Sequence, residues 1–283
     1  MKYIVLVVLM VGTLFGSNSP YFDKAVSAYN KKNYKEAVKF YKKSIEHKGW
    51  SGAKYQLGIM YEYGEGVLKD NKEAVKWYLN SAKQGFANAQ FEMGNRYYSG
   101  DGVLKDYKEC VKWFTKAAEQ GHMKAQHNLA LRYKNGQGVK QDYKKAVKWL
   151  SKAAEQGFAQ SQSLLAIRYS RGEGVLKDNK EALKWTRKAA LQNYSEAQNN
   201  LAIIYEEGKG VLKDNKEALK WYYKAIENGY VDSKCNIVDT YLSVNNNSIK
   251  AKQQAKKWVK EAYEKTDYDY CTKVWEKYEL FNF

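Results

Sequence analysis

Residues that bind metals or perform catalysis are scarce in this sequence, which has three histidines and three cysteines in 283 residues. His122 and His127 are five residues apart, off the i, i+4 spacing that places two metal ligands on one helix face. His47 is distant from both. The histidines therefore do not predict a zinc site, and we expect neither a metal nor a cofactor.

Catalytic motifs are also missing. Ser51 and Lys54 form a single Ser-x-x-Lys, but the Ser-Asp-Asn and Lys-Thr-Gly companions found in serine β-lactamases do not occur. A Gly-x-Gly phrase recurs without the preceding strand or longer glycine pattern of phosphate-binding loops. We therefore name no catalytic residue and interpret Ser51 as the start of a helix. Enzymatic activity from residues distant in sequence stays open at this point.

Apolar runs are too short to cross a bilayer, which needs about 20 residues. The first residues have the form of a secretory signal, because Lys2 is followed by an apolar run from Tyr3 to Phe15 and by the small Gly16. We predict that residues 1–16 are a signal peptide and that the secreted protein has no transmembrane segment. The alternative is that these residues are kept as an anchor.

A repeat dominates the rest of the sequence. The phrase Gly-x-Gly-Val occurs five times at a constant step of 36 residues, and one Trp and one Tyr recur at the same step. A constant period of this size predicts stacked supersecondary units. The phrases begin at Gly64, Gly100, Gly136, Gly172 and Gly208; the Trp column is Trp77, Trp113, Trp149, Trp185 and Trp221; the Tyr column is Tyr61, Tyr97, Tyr133, Tyr169, Tyr205 and Tyr241.

The sequence of each repeat predicts two helices, which the Gly-x-Gly phrase joins. The glycines give the backbone the freedom that a tight connection needs. The first helix has small and apolar residues at helical spacing. The second begins at an Asp that caps free backbone N–H groups, and it ends at a Gly or Asn, which tolerate the left-handed conformation of helix ends. The capping residues are Asp70, Asp106, Asp178 and Asp214, and the ends are Gly49, Gly85, Gly121, Gly157, Asn193 and Gly229.

The net charge is formally +17 at pH 7. Lysine pairs at i, i+4 spacing, such as Lys72 and Lys76, recur in the repeats and lie on one helix face. This face is either a solvated surface or a surface for anionic polymers of the cell envelope. We do not expect nucleic acid as a partner, because we predict export.

The combined pattern resembles the Sel-1-like repeat, a relative of the tetratricopeptide repeat. Its parts are Ala-x-x-x-Leu-Ala/Gly-x-x-Tyr, Gly-x-Gly-Val-x-x-Asp, Ala-x-x-Trp and Ala-Ala-Glu-Gln-Gly. The resemblance implies an all-α fold, a right-handed α-α superhelix or solenoid of stacked helix-turn-helix repeats, with seven units and a C-terminal capping helix. It also implies a bacterial protein of the periplasm or extracellular space. We assign residues 17–48 to a tetratricopeptide-like repeat, 50–229 to five Sel-1-like repeats, 230–265 to a degenerate repeat and 266–283 to the cap.

A concave surface lined by first-helix residues is a further implication of the resemblance. Two columns vary between repeats while the core columns stay constant, and exposed apolar residues often mark binding surfaces. Three arginines share another slot and could pair with carboxylates of a partner or of the same chain. The first column is Tyr55, Phe91, His127, Ser163, Asn199 and Cys235; the second is Ile59, Asn95, Leu131, Ile167, Ile203 and Asp239; the arginines are Arg96, Arg132 and Arg168. The alternative is that these columns pack against the neighbouring helix.

The function that the resemblance implies is a non-catalytic scaffold that binds a protein or peptide of the cell envelope along this surface. One alternative is β-lactam binding and hydrolysis, to which secreted cysteine-rich relatives are linked. Those relatives carry paired cysteines where this chain has Ala82 and Gln90, Ala118 and Gln126, and Ala154 and Gln162. The other alternative is a binder of peptidoglycan fragments.

The three cysteines cannot all pair within one chain. Cys110 occupies a slot that is Ala in the sister repeats, so we interpret it as a small core residue. Cys235 and Cys271 are the candidate disulfide, but they are about one repeat apart. Corresponding atoms of neighbouring repeats usually lie farther apart than the ~7 Å limit for a bridge, so the spacing argues against it.

Overall fold

The computed structural model describes residues 20–265 and 269–277, and this part of the chain is entirely helical. The all-α prediction is confirmed: fifteen described helices form seven pairs in chain order and a final helix. The predicted signal peptide, residues 1–16, lies outside the described residues. The helices are α1 (Pro20–Asn30), α2 (Tyr34–Lys48), α3 (Ser51–Tyr63), α4 (Asn71–Lys83), α5 (Ala87–Ser99), α6 (Tyr107–Glu119), α7 (Met123–Asn135), α8 (Tyr143–Glu155), α9 (Ala159–Arg171), α10 (Asn179–Ala190), α11 (Ser195–Glu207), α12 (Asn215–Glu227), α13 (Ser233–Val244), α14 (Ile249–Tyr263) and α15 (Asp269–Lys277).

The chain divides into two compact units, residues 1–142 and 143–283. In the first unit each helix from α1 to α7 packs against the next, and in the second the same holds from α8 to α15. Each repeat therefore buries its apolar face against its neighbours, as expected for stacked helical repeats. Among the described residues, none of the helices combines the length and hydrophobicity that a membrane span requires.

Small residues on the first helices let aromatic residues of the second helices pack closely. A Cβ added to Gly58 would lie 2.5 Å from the Tyr78 ring, and one added to Gly94 would lie 2.4 Å from the Phe114 ring. Tyr78 and Phe114 are almost fully buried. Glycine at these two slots is therefore required by packing of the aromatic ring.

The predicted helix starts are confirmed. Asp70 Oδ1 accepts a hydrogen bond from the Glu73 N–H at 3.0 Å, and Asp214 Oδ1 accepts one from the Glu217 N–H at 2.9 Å. The backbone N–H of Asp70 also donates to the Tyr61 carbonyl at 2.9 Å, which ties the loop to the first helix. The same capping geometry occurs at Asp106 and Asp178.

The two glycines of the Gly-x-Gly phrase have different functions. The first ends the first helix in the left-handed conformation, as Gly136 does with φ +67°. The second touches the preceding repeat: a Cβ on Gly138 would lie 2.1 Å from the Tyr107 carbonyl oxygen. The expected tight connection is therefore only part of the explanation, because the second glycine also permits close contact between repeats.

Cys235 and Cys271 form a disulfide, so the spacing argument against this bridge was wrong. Helix α15 packs directly against α13, and the two Cα atoms are 5.3 Å apart. Both cysteines are fully buried. Cys110 is a buried free cysteine, as predicted, and burial raises the pKa of its thiol to about 12.

Candidate functional site

The second predicted column is partly exposed along its whole length. Ile59, Asn95 and Leu131 lie on α3, α5 and α7 of the first unit, and Ile167 and Ile203 lie on α9 and α11 of the second. All five are half-buried. Part of each side chain is therefore accessible to a partner, and the rest packs against the repeat.

An open groove of about 440 Å³ lies between α9 and α11, with α10 at its base. We call it the α9–α11 groove. Its apolar strip consists of Ile167, Ile203 and Ile204, and Ala182 and Thr186 of α10 also line it. Lysine, arginine and glutamate side chains complete the lining: Arg171, Lys177, Lys209, Glu196 and Glu207. The groove thus offers an apolar centre with charges of both signs around it.

The first predicted column mostly packs between repeats. The Phe91 ring stacks on the His122 imidazole with centroids 4.6 Å apart and contacts the Phe114 ring at 5.8 Å. Tyr55 contacts the rings of Tyr78 and Phe86 at 5.6 and 5.3 Å. Phe91 and Tyr55 therefore pack against neighbouring rings, which agrees with the alternative interpretation of this column.

Ser163 and Asn199 are buried, so the prediction that they face a partner is corrected. Asn199 Oδ1 accepts hydrogen bonds from Ser233 Oγ at 2.8 Å and Asn236 Nδ2 at 2.9 Å, which join adjacent repeats. His127 is half-buried, and desolvation lowers its pKa to about 4. The first column is therefore mainly an interface within the array.

Two of the three predicted arginines pair with carboxylates of the same chain, which is the second of the two alternatives for this slot. Arg96 Nη2 lies 2.5 Å from a Glu62 carboxylate oxygen, and its Nη1 pairs with Asp101. Arg168 Nη1 pairs with Glu173. Arg132 has no such carboxylate among the described residues; its guanidinium lies over the Tyr98 ring, 4.2 Å from the ring centroid.

In four of the five predicted lysine pairs, one lysine forms a salt bridge with a glutamate of the same helix. Lys76 Nζ lies 2.7 Å from Glu73, and Lys220 Nζ lies 2.8 Å from Glu217. The hydrogen bond with Glu73 raises the pKa of Lys76. Exposed pairs of this kind contribute little stability. The paired lysines are less available to anionic polymers than their number suggests.

A row of exposed leucines escaped the sequence interpretation. Leu68, Leu104 and Leu176 are each 90% exposed and Leu212 is 89% exposed, each in the loop that follows a Gly-x-Gly-Val phrase. They follow four of the five Gly-x-Gly-Val phrases, Lys140 follows the third, and this recurrence was visible in the sequence. Constant spacing alone does not reveal whether a residue is buried, because loop residues recur as regularly as core residues.

A column of buried glutamines was also missed. Gln90 Nε2 donates to the Ala82 carbonyl at 3.1 Å, and Gln126 Nε2 donates to the Ala118 carbonyl at 3.1 Å. These are the slots where the cysteine-rich relatives carry paired cysteines. A hydrogen bond therefore joins the two positions in this chain, and the resemblance to the cysteine-paired proteins does not extend to their cross-links.

Local structure accounts for the other singled-out polar residues. Ser51 begins α3, as predicted, and its carbonyl accepts a hydrogen bond from Ser81 Oγ at 2.7 Å. His122 Nδ1 accepts the Ala125 N–H at 3.2 Å and caps α7; burial lowers its pKa to about 4. Within residues 20–265 and 269–277, no group of three or more His, Cys, Asp or Glu could hold a metal ion.

Comparison with known proteins identifies repeats along most of the chain. The family model described as Sel1 repeat matches residues 31–48, 51–86, 87–122, 124–158, 159–194 and 195–230.

Two solved structures resemble the chain over most of its length. The protective antigen c5321 of uropathogenic Escherichia coli, which displays an SLR fold, is 32% identical with a TM-score of 0.83, covering 92% of this chain and 56% of that one. A Sel1 repeat protein from Oxalobacter formigenes is 32% identical with a TM-score of 0.81, covering 87% of this chain and 100% of that one. Both similar proteins are bacterial.

A curated relative resembles only a short segment. The exopolysaccharide production negative regulator of Rhizobium meliloti (strain 1021) is 41% identical over 64 residues. The match spans 23% of this chain and 24% of the relative.

Proposed function

This chain belongs to the Sel1 repeat family, and from that premise we propose that it is a non-catalytic scaffold that binds a segment of a partner protein in the α9–α11 groove. Sel1 repeats mediate protein–protein interactions. The observation that carries the proposal is that Ile167 and Ile203, two residues of the predicted column, line one open groove.

The chemistry of the groove favours an amphipathic peptide segment. Its apolar strip, Ile167, Ile203 and Ile204, suits aliphatic or aromatic anchors of a helix or extended chain. Charged side chains of both signs flank the strip, so polar groups next to the anchors can form hydrogen bonds and ion pairs. An apolar strip flanked by charges of both signs therefore supports binding of such a segment.

We further propose that the protein is secreted and that its partner belongs to the bacterial cell envelope. The signal-like residues 1–16 support export. The buried Cys235–Cys271 disulfide supports an oxidising compartment, since disulfides persist mainly outside the cytosol. Expression of the full sequence in a Gram-negative host, followed by mass spectrometry of each fraction, tests this. We expect a periplasmic protein lacking residues 1–16, and a cytosolic protein of full mass would contradict it.

Site-specific photo-crosslinking tests the groove. A photoreactive phenylalanine derivative replaces Ile203, and the same residue at Leu212 serves as the control because Leu212 is exposed in the same unit. In cells of the native organism, we expect a discrete protein adduct from position 203 and none from position 212. An Ile167→Asp substitution should abolish the adduct while the far-UV circular dichroism spectrum stays unchanged.

The crosslinking experiment has clear contrary outcomes. The same protein captured equally at both positions would contradict binding in the groove. Capture of peptidoglycan fragments in place of a protein would favour the wall-binding alternative. No adduct at position 203, with the protein folded and present, would refute the groove as the binding surface.

A further inference from the structure

Three repeats place an arginine in the same slot of the first helix, and two of these arginines are neutralised by carboxylates of their own unit. Arg96 pairs through Nη2 with Glu62 of the preceding repeat and through Nη1 with Asp101 of its own loop. Arg168 pairs through Nη1 with Glu173, which occupies the same loop position as Asp101. In both repeats the slot therefore places a carboxylate next to a buried guanidinium.

Arg132 lacks both carboxylates. Tyr98 stands where Glu62 stands for Arg96, and Gln137 stands where Asp101 and Glu173 stand for their arginines. Arg132 is only 6% exposed, and its Nε and Nη1 have no hydrogen-bond partner. The buried Gln137 Oε1 also has no partner. Two neighbouring polar groups in this slot are thus left unsatisfied, which is unusual for buried groups.

A second cation lies near the aromatic ring that Arg132 covers. Lys105 Nζ lies 4.9 Å from the centroid of the Tyr107 ring and 5.8 Å from that of Tyr98, the ring beneath Arg132.

The neighbouring acids have other partners. Asp101 pairs with Arg96, Asp106 caps α6 and Glu109 pairs with Lys112. An anion brought to Arg132 therefore meets two cations without a competing acid among these residues.

We propose that Arg132 is the binding site for a carboxylate of the partner protein, supplied by a Glu or Asp side chain. The inference rests on the proposed scaffold function, because it names the chemistry of the partner. A charged guanidinium held in a protein interior needs a compensating anion. Planar guanidinium and carboxylate groups form two parallel hydrogen bonds, and the sister slots already bind this group. Gln137 is half-buried and occupies the loop position from which Asp101 and Glu173 reach their arginines.

Titration of the ¹⁵N-labelled protein with N-acetyl-glutamate N-methylamide tests the site directly. The ¹H–¹⁵N resonance of the Arg132 Nε–H, assigned with the Arg132→Lys variant, should shift and saturate. The Arg96 resonance should stay in place, because that guanidinium is already paired. The uncharged probe N-acetyl-glutamine N-methylamide should leave Arg132 unshifted.

A Gln137→Glu variant gives the second arm of the test. It supplies an internal carboxylate at the position of Asp101 and Glu173, and we expect it to weaken probe binding about tenfold or more. Asn135→Glu adds the same charge at an exposed residue of α7 and should leave the affinity nearly unchanged. Because Gln137→Glu reproduces a residue found in a sister repeat, it keeps the fold and separates loss of binding from unfolding.

The carboxylate site is refuted if the Arg132 resonance does not respond to the glutamate probe, or if it responds equally to the glutamine probe. Unchanged probe binding in Gln137→Glu, or much tighter binding of inorganic phosphate, would also overturn it. These results leave the groove proposal intact, since its crosslink is measured at Ile203. A partner captured at Ile203 equally by wild type and Gln137→Glu would likewise refute only the Arg132 site.

Discussion

Two junctions between repeats of the first unit have the same architecture and opposite polar chemistry. The Arg96 junction consists of Glu62, Asn71, Arg96 and Asp101, and its buried cation is neutralised by the chain itself. The Arg132 junction consists of Tyr98, Tyr107, Arg132 and Gln137, and aromatic and amide groups stand where the acids would be.

The two junctions differ in polar groups and agree in the residues that pack between repeats. Both place an arginine, a loop glycine and an aromatic ring in equivalent positions, because packing between repeats requires those shapes. The group that neutralises the arginine is free to vary. Variation at the polar positions of a repeat is therefore the better guide to function than variation in general.

The largest effect should come from the feature that both junctions share, the second loop glycine. Gly138→Ala places a Cβ 2.1 Å from the Tyr107 carbonyl oxygen at φ +74°. We expect a loss of about 3 kcal/mol in the free energy of unfolding, because left-handed strain of about 1–2 kcal/mol adds to the displacement of backbone atoms. Urea denaturation followed by circular dichroism measures it.

Gly136→Ala is the matched control for Gly138→Ala. Its φ is also positive, +67°, but the nearest atom to an added Cβ is Gln141 Cβ at 3.4 Å. Only the conformational strain of about 1 kcal/mol should appear. Equal losses for the two variants would contradict close contact at the second glycine.

The second effect tests the charges of the Arg96 junction. Glu62→Gln removes the carboxylate that binds Arg96 Nη2 and accepts the Tyr78 hydroxyl at 2.7 Å. We expect a loss of about 2 kcal/mol in the free energy of unfolding, since a buried cation loses a charge-assisted hydrogen bond. Glu92→Gln is the control, because Glu92 lies on the next first helix and desolvation already raises its pKa. A loss at Glu92 as large as at Glu62 would refute the explanation.

The smallest effect is a pH dependence at the start of α7, where His122 caps the helix that carries Arg132. Burial lowers the pKa of His122 from 6.5 to about 4. Between these values the unfolded chain binds the proton more readily than the folded chain, so stability is present above pH 6.5 and is lost as the pH falls towards 4. Asn can cap α7 without this titration. The stability advantage of wild type over His122→Asn should therefore shrink by about 1 kcal/mol between pH 7 and pH 5.5.

Thermal denaturation of wild type and His122→Asn at these pH values measures the difference. His127, whose pKa is also lowered to about 4, contributes equally to both proteins and cancels in the comparison. A constant gap across the range would show that His122 titrates normally in the folded protein.

The parts of the fold that depend on local chemistry could be predicted from the sequence. Capping by Asp70 and the left-handed ends at Gly85 and Asn193 follow from residues close in the chain. Arg96 pairing with Glu62 depends on which side chains a neighbouring repeat brings within reach. Helical spacing specifies a face of one helix and does not specify the residue that covers it.

The same limit explains the errors in the candidate site. Ser163 was expected on the surface because its slot varies, yet it is buried. The disulfide between Cys235 and Cys271 depends on how closely α15 packs on α13, which the repeat length does not contain. Ile167 and Ile203 were predicted together because their slot is both variable and apolar, and they do line one groove.

The most direct test of the contrast between the junctions is the free energy of unfolding of Arg96→Met and Arg132→Met, measured side by side in urea at pH 7. Arg96→Met leaves Glu62 and Asp101 without their cation, and we expect a loss of about 3 kcal/mol. Arg132→Met replaces a buried, unpaired cation by an apolar side chain of similar volume and should change stability by less than about 1 kcal/mol. Equal losses of stability in the two variants would contradict the claim that Arg96 is neutralised by the chain and Arg132 is not.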